Sequence, residues 1–234
     1  MVEKTKQQRL IPKDLLNIEL NYHNYQRFLY LLSLVEKKYG DVNFRLAGEG
    51  WNYPWQTLLV TILSAQSKDE LTIKISEKLF EKYPTLKDLA SARYDEVLVI
   101  LKSMNYNRTK TKHIITSAKM LLEEFNGIVP TNIEELIKLP GVGRKTANLV
   151  ISEEFEIPGI CVDTHVQRMC NVFGFVNTKD DRDATEKILK EILPPLYWTP
   201  INRLFVLWGK ECPSKNPEIL LEVLLNKKSI YDEK

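Results

Sequence analysis

Apolar residues recur along this chain at intervals of three and four, the spacing that gathers them on one side of an α-helix. The stripe is cleanest over residues 109–125, where Ile114, Ala118, Leu121, Leu122 and Phe125 share a face and Asn126-Gly127 supplies a stop. Comparable stripes run through 25–39, 55–64, 71–80, 166–173 and 184–193. No strict apolar/polar alternation is long enough to build a sheet, so the pattern predicts an all-α fold. Start signals agree with the stripes. Thr199-Pro200 and Asn216-Pro217 each place a capping side chain before a proline at the first helical position. Thr131 with Glu134 fits a capping box. The first residues, about 20 in number, are polar and are expected to fray.

Composition narrows the class without naming a function. With 234 residues and 44% apolar content, the chain can fill one large domain or two small lobes. It carries no Gly/Ser linker and no fixed-period repeat. Three cysteines, Cys161, Cys170 and Cys212, show no paired spacing, and no apolar signal core follows the polar opening; an intracellular, reduced protein is expected. No window approaches the ~18 apolar residues of a membrane span. A net charge of +2 is too small to indicate nucleic acid by itself.

The distribution of charge says more. From Val97 to Leu122 there is no acidic residue, while Lys102, Arg108, Lys110, Lys112 and Lys119 are basic and His113 lies among them. Such a run is usually a solvated helix face. Here it begins with the polar loop MNYNRTK carrying Tyr106, and an aromatic beside basic residues at a loop tip is what a base-stacking wedge needs.

The stretch LPGVGRKTANLV, 139–150, is the most specific feature. A short helix over 131–139, a PGVG turn and a second helix over 144–155 make a helix-hairpin-helix. Pro140 ends the first helix, and Gly141 and Gly143 permit backbone angles or close approaches that a Cβ would block. The amides of Gly141, Val142 and Gly143 can then face an anion such as a DNA phosphate at the positive end of the second helix, where Arg144 adds charge. Packing alone explains many such turns equally well.

Lys145 lies in the first turn of that second helix. The helix dipole and Arg144 both oppose another positive charge there, which favours the free amine that can form a Schiff base. A solvated or phosphate-contacting lysine is the plain alternative. Asp163, in CVDTHVQRMCNVFG, precedes an amphipathic stripe and reads as a helix cap. Pro158-Gly159 breaks the chain just after the lysine's helix, so Asp163 can also return toward the start of that helix as base or electrostatic stabiliser. His165 is a candidate phosphate contact or a packed residue.

With these residues placed, the chain resembles the endonuclease III branch of the helix-hairpin-helix DNA glycosylases. LLVTILSAQSKDE, NYNRTKTKHI, FNGIVP, LPGVGRKTANLV and CVDTHVQRMCNVFG follow in that family's order and spacing. The resemblance implies two helical lobes with a DNA-binding cleft between them. A six-helix barrel would occupy 47–157, with the hairpin at 131–155, and 1–46 with 158–234 would form the second lobe. It implies a bifunctional glycosylase and AP lyase acting on an oxidised pyrimidine in duplex DNA, with Lys145 attacking C1′ of the flipped nucleotide and Asp163 assisting. Gln66 would fill the gap in the duplex, Tyr106 would be the wedge, and Arg108, Lys110, Gly141, Val142, Gly143, Arg144 and His165 would contact DNA. Asp69 falls at an acidic position of the family pattern, with a structural role equally open. No metal takes part, and a monomer is expected, in cytoplasm or nucleoid if the source is prokaryotic and in the nucleus if it is eukaryotic.

Family members commonly end with four cysteines around a 4Fe-4S cluster, but the corresponding WGKECPSKNPEILLEVLLNKK holds only Cys212. One thiolate cannot hold a cubane, so no cluster is expected and a helix over 217–225 should bury Ile219, Leu220, Val223 and Leu224 in its place. Asn105 replaces a usual glycine before the wedge, and Trp208-Gly209-Lys210 replaces His-Gly-Arg. A monofunctional thymine or uracil mismatch glycosylase and a non-enzymatic DNA-binding module are the competing readings; Lys145 argues against the first and Asp163 against the second.

Overall fold

A computed structural model describes residues 22–226 and 228–231. The fraying expected of the first residues lies outside that range. The described residues form helices and no strand, in the order α1 (Tyr22–Tyr39), α2 (Pro54–Ser64), α3 (Asp69–Lys82), α4 (Leu86–Ala90), α5 (Tyr94–Ile100), α6 (Asn107–Glu124), α7 (Ile133–Leu136), α8 (Arg144–Phe155), α9 (Thr164–Val172), α10 (Arg182–Ile192), α11 (Trp198–Glu211) and α12 (Pro217–Leu225). The described residues divide into two compact units, one of residues 44–161 and one of residues 22–43 together with those from Val162 onward.

In the first unit α2 is the centre. It is mostly apolar, and each residue from Trp55 to Leu63, including Gln56, Thr57 and Thr61, is buried, because α3, α6 and α8 all pack on it. The stripe on α6 behaves as its spacing predicts: Ile114, Ala118 and Leu121 are inaccessible, with Leu122 and Phe125 at the margin. The helix stops where Asn126 and Gly127 turn left-handed, and the Gly127 amide donates to Leu121 O at 2.7 Å. Asp69 accepts from the Ala47 amide at 3.0 Å, a structural tie at the start of α3.

The second unit packs an aromatic core. Phe28 on α1 meets Phe175 edge-on with ring centroids 4.9 Å apart, and Trp208 stacks on Phe173 at 5.7 Å. The same unit encloses a charge pair: Lys38 Nζ lies 3.2 Å from Glu211 Oε1, both side chains under a tenth exposed. Lys38 also donates to Val223 O at 2.6 Å, while Tyr39 Oη and Ser229 Oγ donate to Glu211 Oε2. Burial first, and then Glu211, hold the Tyr39 hydroxyl well above the usual phenol range.

Three local expectations need correction. The cap of α7 is Asn132, whose Oδ1 accepts from the Glu135 amide at 2.8 Å, not Thr131; asparagine caps at least as well as threonine. Helix α11 starts at Trp198, continuing from a 3-10 turn at Pro195–Tyr197, so Thr199 is inside it and Pro200 falls in the first turn, where no amide partner is lost. Helix α12 spans the expected residues, with Asn216 as its cap, but turns Leu220, Leu221 and Leu224 inward while Ile219 is exposed. Trp208 lies against α12, and its Nε1 donates to Leu220 O at 3.2 Å.

Candidate functional site

The hairpin is built from tightening turns. After Leu136 the amides of Lys138 and Leu139 bond three residues back, to Glu135 O and Leu136 O, which narrows the coil before Pro140 ends it. Ser117 on α6 donates to Pro140 O at 3.1 Å and pins the bend. The two glycines then serve different needs. Gly141 has φ +83°, and a Cβ there would lie 2.6 Å from His113 Nδ1 and 2.9 Å from Ile62 Cγ2. Gly143 has φ −102°, which any residue adopts, and a Cβ there would meet nothing within 4 Å. The first glycine is required by the fold; the second leaves open the space in front of α8.

That space faces the start of a 12-residue helix. Gly143 is the N-cap of α8 and offers no side-chain cap, so the leading amides of the helix have no partner within it. Gly143, Arg144 and Lys145 are all exposed, so uncapped backbone donors and two cationic residues meet at the start of this helix. Val142 takes a different part. Its side chain is buried in the core and its amide donates to Leu139 O at 3.1 Å, so it shapes the turn rather than facing a ligand.

Past α8 the chain doubles back along it. The Cys161 Sγ reaches Lys145 O at 3.5 Å, so the returning strand of chain runs beside the lysine two residues before Asp163. In its own unit Asp163 is the N-cap of α9, accepting from the His165 and Val166 amides, both at 2.8 Å. Both bonds fall on Oδ1, and Oδ2 carries neither. The capping and chemical readings of this carboxylate are therefore compatible.

His165 is partly buried, and its ring takes the place that a Cβ on Gly209 would need, with Nδ1 at 2.2 Å from that position. It lines a depression of about 590 Å³ with Arg168, Lys179, Arg182 and Lys215. Arg168 is the residue that sequence reasoning missed. Its guanidinium donates to Gly209 O at 3.0 Å, Cys212 O at 3.1 Å and Ser214 O at 2.7 Å, tying the last turn of α11 and the segment after it to one fork. Its position between Val166, Met169 and Cys170 was the available signal: a basic residue flanked by core positions needs internal acceptors.

Gln66 and Tyr106 are both exposed, at the α2–α3 and α5–α6 connections, and both have left-handed backbone, φ +53° and +55°. Arg108 is exposed one residue into α6 and, with Lys112, His113 and Pro140, lines an open depression of about 710 Å³ beside the hairpin. Lys110 is the clear correction. It is only 4% exposed, its amine donates to Ser67 Oγ at 2.8 Å, and burial pushes it down to about 8. It is not a surface contact for a phosphate. The stripe already held this information, because Lys110 precedes Ile114 by four residues and so shares its buried face.

The donors around Cys212 do not fit a four-thiolate cluster. Cys170 is fully buried in α9, where burial raises its thiol far above the usual range, and the sequence holds three cysteines in all. Among the described residues no three His, Cys, Asp or Glu side chains are grouped as a metal site, and no helix is long and apolar enough to cross a membrane.

Comparison with known proteins adds the context for this geometry. A family model described as HhH-GPD superfamily base excision DNA repair protein matches residues 59–195. Endonuclease III of Thermotoga maritima is 42% identical over 165 residues, covering 70% of this chain and 77% of that protein. Endonuclease III of Bacillus subtilis is 36% identical over 165 residues, covering 70% and 75%. The solved structure of a trapped endonuclease III-DNA covalent intermediate is 34% identical, with a TM-score of 0.76, covering 85% of this chain and 91% of that one. A thermostable thymine-DNA glycosylase, 18% identical with a TM-score of 0.71 and covering 90% and 98%, shares the fold.

Proposed function

Because the chain belongs to the HhH-GPD superfamily of base excision DNA repair proteins, we propose that it removes oxidised pyrimidines from duplex DNA as a bifunctional glycosylase and abasic-site lyase. The observation that carries this reading is the exposed Lys145 amine on the first turn of a helix whose leading amides no side chain caps. A backbone phosphate held by those amides would fix the duplex without reading its sequence and would bring a sugar within the lysine's reach.

The proposed chemistry uses groups of this chain and water. Breaking the N-glycosidic bond builds positive charge on the sugar, which the Asp163 carboxylate stabilises; the departing base keeps the bond's electron pair and takes up a proton. The free amine of Lys145 bonds to C1′, and opening of the sugar ring gives an imine. The imine acidifies the C2′ proton; its loss expels the 3′ phosphate, and water releases the lysine. No step passes through an iron-sulfur cluster, and the protein works with the Arg168 fork and α12 holding the segment after α11.

Extruding a nucleotide costs a few kcal/mol of unstacking. Gln66 and Tyr106, exposed on adjoining loops, are the residues assigned to offset that by entering the duplex. Borohydride trapping on duplexes containing thymine glycol, an abasic site, uracil opposite guanine or no lesion tests the function. A covalent adduct on thymine glycol and abasic DNA, with none on undamaged duplex, is expected. Base release without adduct would instead mark a monofunctional enzyme.

The two hairpin glycines give a separable result. Gly143→Ala is expected to keep stability within about 0.5 kcal/mol while weakening duplex binding several-fold, because the methyl enters the space of the phosphate. Gly141→Ala should destabilise by about 1–3 kcal/mol through its left-handed φ and the clash with His113 and Ile62. Thermal melting and fluorescence-anisotropy titration read the two effects.

A further inference from the structure

The loops that carry Gln66 and Tyr106 are joined to each other, and both joining side chains come from the Tyr106 side. Asn105 Nδ2 donates to Gln66 O at 2.9 Å, and Lys110 Nζ donates to Ser67 Oγ at 2.8 Å. Lys110 is fastened at both ends, since its own amide donates to Tyr106 O at 2.9 Å. Each exposed side chain therefore sits within one residue of a cross-loop tie. The two loops are 40 residues apart in sequence, and each has a non-glycine residue at positive φ, a conformation that persists only when its surroundings hold it.

Lys110 is an expensive way to make such a tie. An ammonium has three donors, and this buried one spends one, on a serine hydroxyl. A methionine, unbranched and one atom shorter, would occupy most of the site without desolvating a charge. Arrangements that lower stability in this manner concentrate at functional loops.

We propose that Asn105 and Lys110 are positioning residues that yoke the Gln66 and Tyr106 loops, so that the two probes enter the duplex as one preset unit when a nucleotide is extruded. The proposal rests on the assignment of Gln66 and Tyr106 as the inserting residues. The yoke assists extrusion and not the bond-breaking that follows, so its loss matters most where a base pair must be opened. An abasic site has no base to extrude and should be least affected.

The test is single-turnover kinetics of Asn105→Ala, Ser67→Ala and Lys110→Met on three duplexes: a lesion opposite its pairing partner, the same lesion in a mispair, and an abasic site. Gln66→Ala and Tyr106→Ala serve as references, and melting curves report folding. The yoke predicts that the paired-lesion rate falls about ten- to a hundredfold further than the abasic rate in Asn105→Ala and Lys110→Met, with partial recovery on the mispair. Ser67→Ala, which removes the acceptor alone, should reproduce the Lys110→Met ratio while lowering the melting temperature more than Lys110→Met does, because it strands a buried amine. Equal loss on all three duplexes, or no loss, overturns the proposal when the references do shift the ratio. If Gln66→Ala and Tyr106→Ala leave that ratio unchanged, the assignment of the inserting residues fails first and the yoke with it.

Discussion

Lys145→Ala is expected to yield no borohydride-trapped adduct on abasic or thymine-glycol duplex, and strand cleavage should fall by about three orders of magnitude or more. The side chain is exposed on the first turn of α8, so its removal leaves the core untouched and stability should hold within about 0.5 kcal/mol. Duplex binding should persist, because the leading amides of α8 and the neighbouring Arg144 remain; loss of one cation lowers the salt slope by about one at most. Binding retained with chemistry lost is the signature that separates a nucleophile from a phosphate contact. A Lys145→Ala protein that still traps would place the nucleophile elsewhere. Asp163→Asn complements it: the amide oxygen can keep the cap of α9 while the charge disappears, so folding survives and base release slows by about 10²–10⁴-fold.

Lys38→Met carries the largest expected effect on stability, a loss of about 3–5 kcal/mol, or a fall of about 6–20 °C in melting temperature. The reason is what the substitution strands. Glu211 would stay enclosed with only the Tyr39 and Ser229 hydroxyls as donors, and the carbonyl of Val223 would lose its short bond. Pairing the change with Glu211→Leu should recover much of the loss, because removing both charges removes the desolvation penalty as well. Chemical denaturation of the two single variants and the double variant measures this. Additive losses would show that the two charges do not depend on each other.

The sequence was legible where a period could complete itself. The 18 residues of α6 give the stripe five turns, and its predicted bounds lie within two residues of the observed ones. Helices α4 and α5, of five and seven residues, are too short for the same signal, although Thr85 and Asp88 form a capping box at the start of α4. The hairpin was readable because proline and glycine act locally. What its residues could not reveal was that Gly141 and Gly143 answer different demands, since His113 and Ile62 arrive from other helices. The Lys38–Glu211 pair spans 173 positions and leaves no local trace. Lys110 and Asn105 show the opposite error, in which a residue assigned by charge or by family departure has its meaning set by a neighbouring loop.

A phosphate gripped by backbone amides carries no information about the bases beside it, and the open face of Gly143 imposes no particular register along the duplex. A hairpin that grips DNA in the way proposed treats intact and damaged duplex alike. That indifference is useful for a searching protein, which can move from phosphate to phosphate without becoming trapped at favourable sequences. It also means that accuracy has to come later, at the moment a nucleotide is drawn out. On the function proposed above, search is the task of the start of α8, and fidelity of excision is the task of the loops of Gln66 and Tyr106.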